Sequence, residues 1–180
     1  RGWSIVEEGI SGNESLLTEF KPYQEKFLEL TSIKYASKTL KSFDTLSNLC
    51  QKGHLEYLKI LLQVSDNKNP GDKDKYTLMH CAAEHGQLNI IEYLVPLLDD
   101  KNPKAGPRKY PTRFTGTEDQ VTPVHLAAWE GHLPVIEFLV PHLNGDINPA
   151  TSDGMTLLHD AAYFGHLNVV AYYTGILDNP

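Results

Sequence analysis

The sequence predicts an all-α solenoid of stacked helix pairs, and three observations carry that reading. One phrase, T-x-x-H-x-A-A-x-x-G, occurs at residues 77–86, 122–131 and 156–165. A worn copy precedes them, so the glycines fall at 53, 86, 131 and 165, with steps of 33, 45 and 34. Behind the last three glycines, apolar residues recur at helical spacing: Leu88, Ile91, Leu94 and Val95; Leu133, Ile136, Leu139 and Val140; Leu167, Val170 and Tyr173. A fixed period in this range marks a repeat architecture, in which each unit buries its apolar face only against its neighbours.

The elements follow in chain order. Residues 1–42 do not fit the period. Residues 14–20 and 22–35 look helical, with Leu16, Leu17, Phe20, Tyr23, Phe27, Leu28 and Leu30 on an apolar side, and Pro22 suits the first position of the second helix. This extension either caps the exposed end of the stack or is the tail of a neighbouring domain. The repeats then occupy about 43–70, 71–103, 118–149 and 150–180, within a repeat domain spanning 43–180. Thr77, Thr122 and Thr156 stand where a hydroxyl caps the first helix of each pair. The alanine pairs 82–83, 127–128 and 161–162 leave a thin surface for close helix approach, and the glycine stops the helix in a left-handed turn. Pro96 and Pro141 each fall ten residues past their glycine, where they should stop or bend the outer helix. Asn-Pro pairs at 69–70, 102–103, 148–149 and 179–180 close the units.

The irregular step locates an insertion. Eight residues separate Asn69 from Thr77 and Asn148 from Thr156, but twenty separate Asn102 from Thr122. Twelve extra residues therefore lie there, in the basic stretch 101–117. So long a connection is usually functional or disordered.

A step near 33 that carries T-P-x-H-x-A resembles the ankyrin-repeat family, across roughly residues 43–180, with three clear copies and one degenerate copy. The resemblance implies an L-shaped solenoid with finger-like turns and a concave groove in which family members mostly bind other proteins and rarely catalyse. It also implies which positions face that groove: Tyr76, Glu84 and His85; Val121, Trp129 and Glu130; Met155, Tyr163 and Phe164. The fingers add Lys73 and Asp74, Glu118 and Asp119, and Ser152 and Asp153. Trp, Tyr, Phe and Met at such positions suit a binding hot spot, since aromatics bury much area at low entropic cost. The bland alternative is that Trp129 and Phe164 pack on neighbouring fingers.

Composition narrows the function classes. The net charge of −7 divides into 0 over residues 1–42, −4 over 43–100, +5 over 101–117 and −8 over 118–180, a last third with no Lys or Arg. A nucleic-acid reader spreads positive charge over its contact face, so nucleic acid is not an expected partner. No apolar run approaches the ~20 residues of a membrane span. Arg1 is not a start residue, so the chain reads as a piece of a longer protein. Cys50 takes the slot of Ala83, Ala128 and Ala162; with Cys81 it makes no disulfide framework, which favours a reducing, intracellular compartment, cytoplasmic or nuclear. Asn13-Glu14-Ser15 matches a glycosylation acceptor, a motif common by chance.

Eight histidines raise the question of a metal. Equivalent positions in stacked helices lie about 8–10 Å apart, whereas zinc ligands reach the ion at ~2.0–2.1 Å. The histidine ladder cannot converge on one ion, so no metal is expected. No phosphate-binding G-x-x-x-x-G-K run or G-x-S-x-G elbow occurs, and neither catalysis nor a cofactor is implied. The basic insertion, with Arg108, Lys109, Tyr110, Arg113 and Phe114, has three readings: a solvated excursion, loose docking on the acidic third repeat, or a grip on an acidic partner.

Two functions from different classes emerge. The first is a non-catalytic protein-recognition module that engages a partner peptide or domain through Trp129, Tyr163, Phe164 and Tyr76. Glu130, Asp119 and Asp153 would favour basic residues on that partner. Trp129 and Tyr163, one repeat apart, also suit a cation–π cage for a methylated lysine. The second is a structural section of a longer scaffold within an effector, channel or enzyme.

Overall fold

The computed structural model describes residues 42–63, 65–106, 121–143, 145–151 and 154–178. The helical readings of 14–20 and 22–35 lie outside them. Among the described residues four helix pairs follow one another: α1 (Phe43–Gln51) with α2 (Leu55–Gln63), α3 (Leu78–Glu84) with α4 (Leu88–Leu94), α5 (Pro123–Trp129) with α6 (Leu133–Leu139), and α7 (Leu157–Phe164) with α8 (Leu167–Asp178). The first helices pack in a continuous row, α1 on α3, α3 on α5 and α5 on α7, and each outer helix lies on its own partner. Ala82, Ala83, Ala127 and Ala128 are fully buried in that row, as the alanine pattern requires.

Each first helix is built by the same local chemistry. Thr77, Thr122 and Thr156 hold extended backbone at the N-cap. At Thr77 and Thr156 a capping box forms in which histidine replaces the usual Glu or Gln. The backbone N–H of Thr77 donates to His80 Nδ1 at 3.1 Å, and that of Thr156 to His159 Nδ1 at 3.2 Å. In all three repeats the threonine hydroxyl also meets the Nδ1 of its histidine, at 2.9 Å for Thr77 on His80, 2.8 Å for Thr122 on His125 and 2.8 Å for Thr156 on His159. With Nδ1 accepting, the His80 ring carries its proton on Nε2, which donates to the Val121 carbonyl of the next repeat at 3.2 Å. His80 thus closes its own helix and ties it to the next turn.

The Asn-Pro pairs do more than end a unit. Asn69 Oδ1 accepts from the Met79 N–H at 3.1 Å, Asn102 Oδ1 from Val124 at 3.3 Å and Asn148 Oδ1 from Leu158 at 3.4 Å. Each asparagine satisfies a free N–H in the first turn of the following helix. The prolines act as their chemistry dictates: α4 and α6 stop after seven residues and pass into 3₁₀ turns, Val95–Leu97 and Val140–His142, that contain Pro96 and Pro141. With Gly175 at the matching place, α8 runs for twelve residues.

The fingers share one hairpin register, which places the insertion. The N–H of Asp72 donates to the Tyr76 carbonyl at 3.0 Å, Ala105 to Val121 at 2.8 Å and Thr151 to Met155 at 2.8 Å. Three residues separate the paired couple in each of the two short fingers, while fifteen separate Ala105 from Val121. The twelve extra residues therefore lie in the chain between Ala105 and Val121, the paired base of the second finger. Lys101 and Lys104, which the sequence reading assigned to the inserted stretch, belong to its base. At its start, the Gly106 N–H donates to the Asp74 carbonyl at 2.7 Å and fastens the long finger to the preceding one.

Candidate functional site

The groove-facing positions fall into two groups in space. Around α3, Tyr76 is only 3% exposed. Its ring stacks on His80 at 5.1 Å and meets the edge of Phe43 at 6.4 Å, and its hydroxyl donates to Glu84 Oε2. Glu84 is half-buried beside it. His85 is held at both nitrogens: Nδ1–H donates to the Cys81 carbonyl at 2.9 Å, which leaves Nε2 to accept from Gln51 Nε2 at 2.9 Å.

Around α5 and α7 the aromatics touch. The Trp129 ring lies 6.3 Å from Phe164, and Phe164 lies 5.0 Å from Tyr163 in an edge-on contact. Exposure is graded along this group: Trp129 8%, Phe164 44%, Tyr163 57%. Glu130 is exposed next to Trp129, Met155 is half-buried on the neighbouring finger, and Val121 is buried.

This placement differs from the sequence expectation at two residues. Tyr76 and Trp129 do not offer open rings, because neighbouring aromatics cover them: Phe43 from the repeat before and Phe164 from the repeat after. Phe164 meets Trp129 here, and a Trp with so little exposed surface lacks the free face a methyl-lysine cage requires. Tyr163 and Phe164 supply the open aromatic surface. Asp119, Asp153, Arg108, Lys109, Tyr110, Arg113 and Phe114 lie outside the described residues.

Sequence reasoning missed what the residue after each glycine does. His132 Nε2–H donates to the Glu84 carbonyl at 3.1 Å and His166 Nε2–H to the Trp129 carbonyl at 2.6 Å. Gln87, with no imidazole, places its Nε2 at 3.0 Å from the Gln51 carbonyl. The common element is a side-chain N–H reaching back to a carbonyl that the preceding helix end leaves free. The recurring G-H pair was the available signal; Gln87 in the series points to hydrogen bonding over metal ligation.

The buried thiols are structural. Cys81 Sγ donates to the Ser47 carbonyl at 3.2 Å, and burial, with the neighbouring Cys81 adding, pushes the Cys50 thiol far above its ordinary value. Both cysteines are free and buried. A cleft of about 240 Å³ between the second and third helix pairs is lined by residues of both signs, among them Asp99, Lys104, His142 and Asp146, and none of the groove-facing positions lines it. No helix among the described residues is long and apolar enough to cross a membrane.

A family profile described as ankyrin repeats (3 copies) matches residues 23–105 and 108–173. No curated protein matches the chain at a significant level. Ankyrin repeats are in general protein–protein interaction modules. With the profile covering most of its length and the helix pairs, capping boxes and fingers in place, the chain belongs to the ankyrin-repeat family.

Proposed function

We propose that the chain is a non-catalytic protein-recognition module whose contact surface centres on Tyr163 and Phe164. Trp129 supports that surface from beneath, and Glu130 and Met155 flank it. The observation that carries the reading is the exposed pair itself: two adjacent aromatic side chains, 57% and 44% exposed, rest on a buried Trp. A rigid aromatic anchor costs little entropy to immobilise and buries much apolar area on docking, which is why such residues dominate interfaces. The partner is a peptide or domain with apolar side chains and basic neighbours. Glu130 stands at the edge of the pair, and Asp119 and Asp153 belong to a stretch, 118–180, that holds eight acidic residues and no Lys or Arg. Opposite charge of this kind chiefly speeds encounter and selects partners. Tyr76 and Glu84, joined by a hydrogen bond, and His85, held by Cys81 and Gln51, form the second, better buried part of the groove. The test is to pan a random peptide library on the chain and counter-select on the Tyr163→Ala/Phe164→Ala variant. Enrichment of basic, apolar peptides that the variant fails to bind supports the reading; binders that ignore the variant oppose it.

A second reading, a section of a longer scaffold, is favoured by the face of the last helix pair. Ala162 is exposed where Ala83 and Ala128 are fully buried, and Leu167 and Leu177 are 79% and 40% exposed. A further repeat would cover these residues. Replacing Leu177 with Glu should then leave the isolated chain as stable as before and destabilise the full-length protein; equal effects in both oppose it.

A further inference from the structure

One side chain from each repeat stands immediately before the glycine that stops the first helix: Lys52, His85, Glu130 and Phe164. Lys52, His85 and Glu130 are the C-cap residues of α1, α3 and α5, and Phe164 is the last residue of α7. The first helices pack in a row, and their ends lie together, since Gln51 reaches His85 and Phe164 reaches Trp129. The four side chains therefore form a line across the stack. Lys52 and Glu130 are exposed, and neither has an ion-pair partner among the described residues. Their settings differ. A helix C-terminus carries partial negative charge, so it favours Lys52 at the end of α1 and opposes the Glu130 carboxylate at the end of α5. Between them, His85 uses both ring nitrogens on Cys81 and Gln51. The line runs positive, neutral, negative, apolar.

Packed helices lie about 8–10 Å apart, which sets the step along this line. A polyproline II segment rises ~3.1 Å per residue with three residues per turn, so every third side chain returns to one face after about 9.3 Å. A β-strand returns a side chain to one face every second residue, after roughly 6.6–6.8 Å, and misses the step. On the reading that Tyr163 and Phe164 are the contact surface, on which this inference rests, we propose that the partner is a polyproline II segment lying across the ends of the first helices. It sets an apolar residue on Phe164 and, three positions away, a basic residue on Glu130. Charge complementarity selects this occupant, because a cation relieves the carboxylate that its own helix end opposes. The step at His85 reads no charge. Lys52 then accepts an acidic residue nine positions from the apolar one and repels a basic residue there.

The test is to pan a random library of peptides of about 12 residues, four polyproline II turns, on the full chain and sequence the retained pool. The expected pool carries a basic residue three positions from an apolar one and is lost on Tyr163→Ala/Phe164→Ala. In its tightest member, inserting one Ala between the two should weaken binding about three- to fivefold, the worth of an exposed ion pair. The same insertion should cost nothing in the Glu130→Gln variant. Lys52→Glu should turn the preference nine positions away from acidic to basic, and an unchanged preference overturns the contact with Lys52. Enrichment at spacings of two or four, as a strand would give, or of seven, as a helix would give, overturns the polyproline II partner while the Tyr163–Phe164 surface stands. So does an insertion that costs the same in wild type and Glu130→Gln. A pool that binds Tyr163→Ala/Phe164→Ala as well as wild type overturns both, as does a library with no binders.

Discussion

His132 packs its imidazole over Gly86, so that a Cβ on that glycine would stand 2.7 Å from His132 Nδ1. Gly86 also has φ 66°, a left-handed backbone that costs an L-residue roughly 1–2 kcal/mol. Gly165 has φ 79° and open space around it. Gly86→Ala should therefore cost clearly more than Gly165→Ala, whose loss is confined to about 1–2 kcal/mol of backbone strain. Urea unfolding of both variants checks this. Equal losses would mean that the contact between repeats contributes nothing.

The first, short finger contains a misfit. Lys75 is the one non-glycine among the described residues with positive φ, 62°, at the hairpin position that Gly154 takes in the last finger. Such three-residue hairpins favour glycine at the left-handed site. Lys75→Gly should raise stability by up to about 1 kcal/mol, the strain relieved less the entropy that glycine loses on folding. A lower urea midpoint would contradict this.

Asn102 caps the helix that follows the insertion from 22 residues away. Asn102→Ala should cost about 1 kcal/mol, the usual worth of a lost cap, and so should Asn148→Ala, whose cap spans only ten residues. Similar losses in urea unfolding would show that the long finger leaves the cap undisturbed. A negligible loss at Asn102 would show that it does not.

The pH dependence should lie on the alkaline side. Burial raises Cys50 far above its ordinary 9.0, and burial, with Tyr172 adding, raises Tyr173 far above its ordinary 10.0. In both cases the folded state holds the proton that the unfolded state releases. This stability is complete below pH 9 and is lost as pH rises through 9 for Cys50 and 10 for Tyr173. The buried Tyr173 hydroxyl has no hydrogen-bond partner among the described residues, so Tyr173→Phe should add about 1 kcal/mol at neutral pH and flatten the decline above pH 10. Unfolding curves from pH 7 to 11 check both; destabilisation by Tyr173→Phe at pH 7 would refute the first.

Much of the fold was legible because its signals are local. The threonine caps, the glycine stops and the helix ends before Pro96 and Pro141 depend on residues a few positions apart, and they stand where the pattern puts them. The twelve-residue excess was legible as arithmetic, but its bracketing by Ala105 and Val121 emerged only from their pairing. The side-chain reach of Asn69 to Met79 was not legible, since asparagine before proline reads equally well as a simple turn. The candidate site was least legible. Whether Tyr76 or Trp129 faces solvent depends on Phe43 and Phe164, which come from adjacent repeats, and the spacing within one repeat cannot show what its neighbour covers.

The most direct test of recognition through the Tyr163–Phe164 surface is a calorimetric titration of the best library-selected peptide. Wild type and the Tyr163→Ala/Phe164→Ala variant are compared at low and high salt, with urea unfolding run in parallel. The account predicts at least a tenfold loss of affinity in the variant, the mark of a hot spot worth more than about 1.4 kcal/mol. It also predicts weaker wild-type binding as salt screens the acidic flank, and a variant that remains folded. An unchanged Kd in a folded variant would contradict it.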